Sequence, residues 1–494
     1  LISFAGCFGI PDEGKSQWTT PQQLSSTGEE TMEPTITLDG SNRPHVAWTR
    51  LDSLGGGDEI YYTRWNGTAW INPENISTTT TPSSRPILIT DSLNRIHLVW
   101  GERKAPRTPR PYQPIDALLA RSSNGISWFP DTTIYYPGVV TPSGIARHSA
   151  AVDNRGNLFV VWEDLIDTAR PLPPRSLLRM RSVLGWQNIR VVHSFALMPA
   201  VVADDTNQKL HIAYVAPARD TGAQDKNSVF YVFSNDLGTT WSDSILVSRS
   251  YLQPAFDPLI IIGKHNRINI VWLKDFNDDL FPDAIYHSFS STGATWAAPQ
   301  NVTNGISGNF FAMSVVSDTA GRLHLVTTWN RRIYYTQFRD STWSSPEMIF
   351  DLQHYVGQLS MALGRDGVLH LVWNTLGQGS GGTYYSKRAI YTHASLTETL
   401  PISFALFQNY PNPFNPSTTI QFSLPRASNV TLKVFSMLGQ EVATLLNEEK
   451  AAGSYKIDWN AEGLSSSVYF YRLTASAVEG RQAFSHVRKM LLVR

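Results

Sequence analysis

The chain has 494 residues, and its 41 Lys+Arg balance 41 Asp+Glu, so the formal charge is zero. That balance excludes a broad cationic footprint for nucleic acid, and 11% aromatic with only 17% charged residues excludes a disordered chain. Long amphipathic helical patterns are absent, short alternating runs broken by Gly, Pro, Asn and Asp dominate, and no apolar run is long enough to span a bilayer; the expected fold class is all-β.

Residues 1–16 stand apart as a lead-in. "LISFAGC", ending at Cys7, resembles the tail of a bacterial lipoprotein signal, in which small residues precede a lipidated cysteine. The resemblance implies lipidation at Cys7. Phe4 stands where that pattern has Leu, and the basic region is missing, so a signal-peptide remnant with an incidental Cys is the other reading. Both readings imply export. Cys7 is the sole cysteine, so no intrachain disulfide can form.

From Gln17 onward the chain repeats. Each copy has an apolar strand ending in an Asp-rich turn, such as "PILITDSLN". A second strand follows, such as "NRIHLVW" (Asn94–Trp100). The third is aromatic ("IYYTRW", "VFYVFS", "IYYTQF"), and the fourth begins at a Trp. That Trp recurs at Trp18, Trp70, Trp128, Trp186, Trp241, Trp296 and Trp343, at intervals of 47 to 58 residues. Four strands in roughly 40–50 residues make one β-propeller blade. "SQWTTPQQLS" (Ser16–Ser25) is a fourth strand that precedes any first strand, and the last copy stops after its third. The expectation is a seven-bladed β-propeller over 17–393, its last blade closed by the N-terminal strand, leaving no open edge.

Alternation along "RIHLVW" puts Ile96, Leu98 and Trp100 on one face and His97 and Val99 on the other. His45, His97, His211, His324 and His370 occupy the same position in five copies, with Phe159 and Asn269 in the other two. One His per blade forms a wide ring, whereas metal ligands must converge. The expectation is a strand His bonded to an adjacent turn or backbone group.

"SNDLGTTW" (Ser234–Trp241) matches the Asp-box pattern, and the repeats resemble sialidase-like (BNR-repeat) propellers. Ser234, Asp236, Gly238 and Trp241 are its structural residues: Gly238 for backbone freedom, Asp236 to cap N–H groups, Trp241 to plug between sheets. The resemblance places such boxes away from the catalytic face. Function is expected on the opposite face, where long charged loops leave the second strands. Glu102, Arg103, Lys274 and Asp275 at the bases of those loops are ligand-face candidates; the links between blades add Arg85, Arg147, His148 and Asp257. A sialidase needs an Arg triad, a Tyr nucleophile with a Glu partner, and an Asp acid. Arg50, Arg85 and Arg147 are the candidates for a triad, with Glu163 or Asp164 as acid, but the family's F/Y-R-I-P motif is missing. "DFNDD" fails as an EF-hand because Leu280 and Tyr286 replace the Gly and the bidentate Glu. A looser Ca²⁺ site near Asp275, Asp278 and Asp279 remains open; no other metal and no cofactor is expected.

Residues 394–403 read as a linker, and 404–494 as an immunoglobulin-like β-sandwich of short strands. "QNYPNPFNP" (Gln408–Pro416), Leu438-Gly439-Gln440, Ala452-Gly453, Trp459, Val468–Tyr471 and Lys489-Met490 resemble the type A C-terminal sorting domain of the Bacteroidota type IX secretion system. Asn409, Pro411, Asn412, Pro413, Gly439 and Lys489 carry the resemblance. It implies delivery to the outer-membrane surface or the medium, with the secretion machinery as partner. The functional expectation is a secreted or surface propeller that binds a glycan or protein. The alternatives are an exo-glycosidase or sialidase-like enzyme and a structural subunit of an extracellular assembly.

Overall fold

The computed structural model describes residues 17–52, 57–79, 81–103, 117–123, 127–130, 132–136, 145–164, 174–217, 227–248, 254–277, 279, 281–304, 306, 308, 310–339, 341–377, 381–390, 404–451, 453–477 and 483–493. Cys7, Asp278 and the 394–403 segment lie outside them. The chain divides into two compact units, Leu1–Ile390 and Tyr391–Arg494.

Seven antiparallel sheets make up the first unit. The innermost strands are Thr31–Leu38, Ser83–Thr90, Ile145–Val152, Leu197–Asp204, Ala255–Ile262, Phe310–Ser317 and Tyr355–Leu363. Each packs against the innermost strand of the next blade, and the seventh against the first. No sheet closes on itself as a barrel; the ring is closed by side-by-side packing. The seventh sheet takes its fourth strand from the N-terminus: Gln22 pairs with Tyr385 and Gln23 with Tyr384, flanked by Thr19 N–H to Lys387 O (2.9 Å) and Leu24 N–H to Thr383 O (2.8 Å). Trp18 packs edge-on to Tyr335 and Phe350, between the sixth and seventh blades. The expected strand closure is thus present.

The second strands supply the core. Ile96, Leu98 and Trp100 join Ala47, Ile60 and Tyr62 of the first blade. Val99, on the other face, joins Leu158, Val160 and Trp162 of the third. Trp48, Trp100, Trp162, Trp272 and Trp373 are all fully buried. Both faces of each sheet are covered, which is why these strands read as continuous apolar runs.

One local feature positions the candidate site. All seven innermost strands carry a register shift near their start, between Met32 and Thr35, Ser84 and Ile87, Ile145 and His148, Leu197 and Ala200, Phe256 and Leu259, Phe310 and Met313, and Val356 and Leu359. Each is a β-bulge, with two residues opposing one. The first bulge residue has positive φ at Glu33 (55°), Arg85 (57°), Met198 (49°) and Asp257 (43°), at a cost of about 1 kcal/mol each for a non-glycine residue. Four of the seven bulges have Pro second: Pro34, Pro86, Pro199 and Pro258.

The second unit is a sandwich of Ala405–Leu406, Ser417–Leu424 and Gly453–Asn460 against Glu441–Lys450, Ser428–Phe435, Ser467–Ala477 and Ala483–Leu492. Ile420, Phe422, Leu432, Val434, Tyr471 and Met490 form its core. The Asn-Pro segment clasps the last strand. Buried Asn409 donates from Nδ2 to the Pro411 carbonyl and to Thr418 Oγ1, while its backbone N–H donates to Tyr471 Oη (2.8 Å). Asn412 Oδ1 accepts Leu491 N–H (2.8 Å), and Gln408 Nε2 donates to the Lys489 carbonyl (2.7 Å). Pro411 and Pro413 follow cis peptide bonds. Gly439, at φ 78°, makes the turn between Phe435 and Glu441.

Candidate functional site

The repeated histidines are structural. His45, His211, His324 and His370 turn Nδ1 to a tyrosine hydroxyl of the third strand at 2.6 to 2.7 Å, and His97 turns to Ser122 Oγ at 2.9 Å. Nε2 faces the Asp of the first turn at 2.9 Å in His97, 3.3 Å in His324 and 3.7 Å in His45 and His211. That Asp also caps the turn: Asp91 Oδ1 accepts the N–H groups of Leu93 and Arg95. In the fifth blade the roles are exchanged, and third-strand His287 meets Asn269 Oδ1 at 3.2 Å. In His97 and His324 the bonded group is a side chain on both sides; in His45, His211 and His370 only Nδ1 is so bonded, and Nε2 is buried without a hydrogen bond. The Asp box folds as its residues imply: Gly238 sits at φ 87°, Asp236 Oδ1 accepts Thr239 and Thr240 N–H (3.0 and 2.8 Å), and Trp241 packs on the core between the third and fourth blades. A cavity near these turns, between Asp153 and Lys209, has about 10 Å³, room for one water.

The loop face is different. At four of its seven bulges the N–H of the first bulge residue is capped by a side chain of the blade before. Gln358 Oε1 accepts Glu33 N–H (3.2 Å), Glu33 Oε2 accepts Arg85 N–H (2.6 Å), and Glu163 Oε2 accepts Met198 N–H (3.0 Å). Met198 Sδ takes Asp257 N–H at 3.4 Å. Glu33 Oε1 lies 3.8 Å from Arg85 Nε, and Arg85 Nη1 is buried without a hydrogen-bond partner. Arg147 of the third blade reaches past the fourth to Asp257 of the fifth, Nη2 to carboxylate at 3.1 Å, with both side chains about one-third exposed. Arg147 and Asp257 lie close enough to act on the charge of both Arg85 and Glu163.

Burial governs the local titration. It raises the Glu163 carboxyl above its ordinary value, opposed by the Met198 amide and the two guanidiniums. It pulls the His148 imidazole down to about 3, helped by Arg85 and Arg147; His148 is therefore neutral, and neither ring nitrogen has a well-formed hydrogen bond. Burial also lowers Arg85, while Glu33 supports its charge. The mouth thus combines two cations, a carboxyl biased toward its protonated form, and a neutral imidazole.

The other candidates go elsewhere. Arg50 donates to Tyr61 Oη (2.6 Å) and lies 3.4 Å from Glu29, while the cations that act on Arg85 are Arg147 and Arg103, the latter paired with Asp58 at 3.2 Å. Asp164 is engaged by Tyr135 and Arg175. Glu102 accepts from Thr79, Thr81, Ser83 and Trp100 inside its own blade. Lys274 lies under the Tyr286 ring, 4.8 Å from its centroid. Asp275 accepts Asn277 N–H and Asp279 accepts Phe281 N–H; among the described residues no group of His, Cys, Asp and Glu is arranged to hold a metal. Glu33 is the site residue that sequence reasoning missed. The recurrent X-Pro at the start of the first strands was its available signal.

Comparisons agree with both units. Residues 408–483 match the family described as "Secretion system C-terminal sorting domain". This is a type IX sorting domain, and the protein is secreted or held at the cell surface. No curated protein matches the chain. Among solved structures, a protein of unknown function from Dyadobacter fermentans matches with TM-score 0.50 and 13% identity, over 77% of this chain and 100% of that one. A polysaccharide lyase of family PL25, an ulvan lyase, matches with TM-score 0.55 and 10% identity, over 77% and 99%. A sialidase from Trypanosoma rangeli matches with TM-score 0.46 and 11% identity, over 96% and 88%. At these identities the likeness is one of fold, a β-propeller. No helix among the described residues is long and apolar enough to cross a membrane.

Proposed function

We propose that the propeller binds an acidic polysaccharide at the mouth of its axial channel. The carrying observation is the meeting of Arg85 and Arg147 from consecutive blades, with Arg85 Nη1 buried and unpaired and Arg147 one-third exposed. A buried guanidinium N–H without an acceptor costs free energy that an incoming carboxylate or sulfate oxygen would recover. Arginine suits this role because its planar fork matches such groups. Export to the cell exterior puts the site where polysaccharides are met, and the ulvan lyase of the same fold acts on a polysaccharide.

Catalysis is a second reading, favoured by one observation: Glu163 is buried beside the Met198 amide, and burial raises its pKa against the nearby charges of Arg147 and Arg85, the condition of a general acid. A panel of acidic and neutral polysaccharides tests the first reading by direct binding. The expected result is selective retention of the acidic members, weakening as salt rises; equal binding of neutral glycans, or none of either, overturns it. Release of shortened chains or reducing ends during the same incubation would add the second reading.

A further inference from the structure

Two guanidiniums, Arg85 and Arg147, meet three carboxyls at the mouth, Glu33, Asp257 and Glu163, and the three carboxyls are unequally supported. Glu33 accepts the Arg85 amide at 2.6 Å and the Thr49 hydroxyl at 3.0 Å, with the Arg85 guanidinium 3.8 Å away. Asp257 takes Arg147 Nη2 on both carboxylate oxygens at 3.1 Å. Glu163 is 4% exposed, and its hydrogen bond is the Met198 amide at 3.0 Å. Each guanidinium is therefore already matched by a carboxylate, and an ionised Glu163 is a third negative charge beside two positive ones.

Its place in the blade explains the difference. Glu163 lies near the end of the second strand of the third blade, Leu158–Asp164, and pairs with Ser176. Val161 and Phe159, two and four residues back on the same face, pack on the core shared with the fourth blade, so Glu163 continues an apolar stripe. The groups that face it are Arg147 and neutral His148 on the first strand of its own blade, Arg85 of the second blade, Met198 of the fourth and Asp257 of the fifth. His193, beyond Ser176 on the same rung, is held down by burial. Tyr214 of the fourth blade, on which His193 stacks, is raised to about 12. Both are uncharged near neutral pH. Asp164, the next residue, is taken by Arg175.

An acidic ligand at Arg85 and Arg147 adds a fourth negative group against two guanidiniums. Protonating Glu33 or Asp257 would give up a guanidinium contact. Protonating Glu163 gives up none, and it removes a charge from the most buried of the three. We infer that the site takes up its acidic ligand together with one proton, which sits on Glu163. The proton comes from solvent and returns there when the ligand leaves, and no bond of the ligand is broken. Burial, which already biases this carboxyl toward its protonated form, acts in the same direction. Protonation also turns one carboxyl oxygen from an acceptor into a donor. This inference deepens the binding proposal and rests on it. Its sign is fixed: a group that gains a proton on binding makes affinity fall as pH rises, by up to about tenfold per pH unit for one proton.

Calorimetric titration of the full chain with oligogalacturonate and with dextran sulfate tests it. Both probes stay ionised over the range used, from about pH 5 to about pH 8. Each titration is run in two buffers of different ionisation enthalpy, so that the difference in heat counts the protons taken up. The wild type should bind more weakly as pH rises and should take up about one proton on binding. Glu163→Gln, uncharged at every pH, should keep an affinity near the acid limit of the wild type and lose both the pH dependence and the buffer dependence. Wild-type affinity that ignores pH, with equal heats in both buffers and Arg85→Gln still damaging, overturns the inference while leaving the binding proposal standing. A pH dependence that survives in Glu163→Gln puts the proton elsewhere and also overturns it, as does loss of binding by that folded variant at every pH. Absence of binding by both probes removes the inference and the binding proposal together. Circular dichroism checks that the variant is folded; if it is not, the paired buffers decide on the wild type alone, where zero uptake overturns the inference.

Discussion

His97 with Asp91 and Ser122, or His324 with Asp318 and Tyr335, has the composition of a catalytic constellation. Its place is the short-turn face, where His and Asp face each other in four of the seven blades, closed from solvent, and its effect is to tie the first turn to the second and third strands. Its chemistry shows in stability. Burial pulls His211 and His370 down to about 4, and His287 to about 3, from an ordinary 6.5. A histidine held neutral in the native state binds fewer protons than the unfolded chain below pH 6.5, so the stability it preserves is complete above that pH and lost as pH falls toward 4. Roughly 3 kcal/mol per histidine is at stake. Thermal unfolding should therefore weaken across that window, and His370→Asn, which copies the residue the fifth blade uses at 269, should flatten the decline. An unchanged slope in the variant would contradict the assignment. At the mouth, the Arg147–Asp257 pair is partly exposed and contributes about 0–1 kcal/mol to stability. Asp257→Asn should leave Tm nearly unaltered and tighten binding of acidic ligands a few-fold by freeing Arg147; weaker binding would show that Asp257 itself contacts the ligand. These residue roles were unequally legible. The histidine position and its two faces follow from a period of two. The convergence of Arg85, Arg147 and Asp257 does not, because it depends on a curvature that brings separate blades to one axis.

The blade is the element the chain repeats, and its count could be read because one Trp marks each fourth strand. Phase carried further information: a fourth strand before any first strand implied closure, and Gln22 and Gln23 pair with Tyr385 and Tyr384 accordingly. Deleting residues 17–25 should expose the edge of Gly382–Ala389, lower Tm by several degrees or more and promote self-association, as measured by calorimetry and light scattering. A deletion variant that stays monomeric with unaltered Tm would mean the strand is dispensable. The bulges were harder to see. Glu33-Pro34, Arg85-Pro86, Met198-Pro199 and Asp257-Pro258 recur in register, and Pro in a strand marks an edge or a bulge. The remaining three bulges lack Pro, so the pattern emerges only once the pairing registers are known. The bulges also explain how seven similar strands make an asymmetric site. The same backbone departure recurs in every blade, and the residue it carries varies, from Glu33 and Arg85 to Met198, Asp257 and Gly357.

The molecule joins a propeller to a domain that directs export. The sorting segment was the most legible part of the chain, because its Asn-Pro residues are also the clasp on the last strand: Asn409, Asn412 and Gln408 hold Tyr471, Leu491 and Lys489. The propeller's ligand was the least legible. The long loops pointed to the face on which the proposed site lies, yet several of their charged residues, Glu102 and Asp164 among them, are consumed by neighbouring side chains and hydroxyls. What remains available is the ring of bulge residues, with two guanidiniums at its ionic side. Titration of an acidic polysaccharide into the wild-type chain, Arg85→Gln and a short-turn-face control, Arg365→Gln, tests this most directly. The account requires binding by the wild type, a loss of about tenfold or more in Arg85→Gln and none in Arg365→Gln. Equal affinity in all three proteins would contradict it.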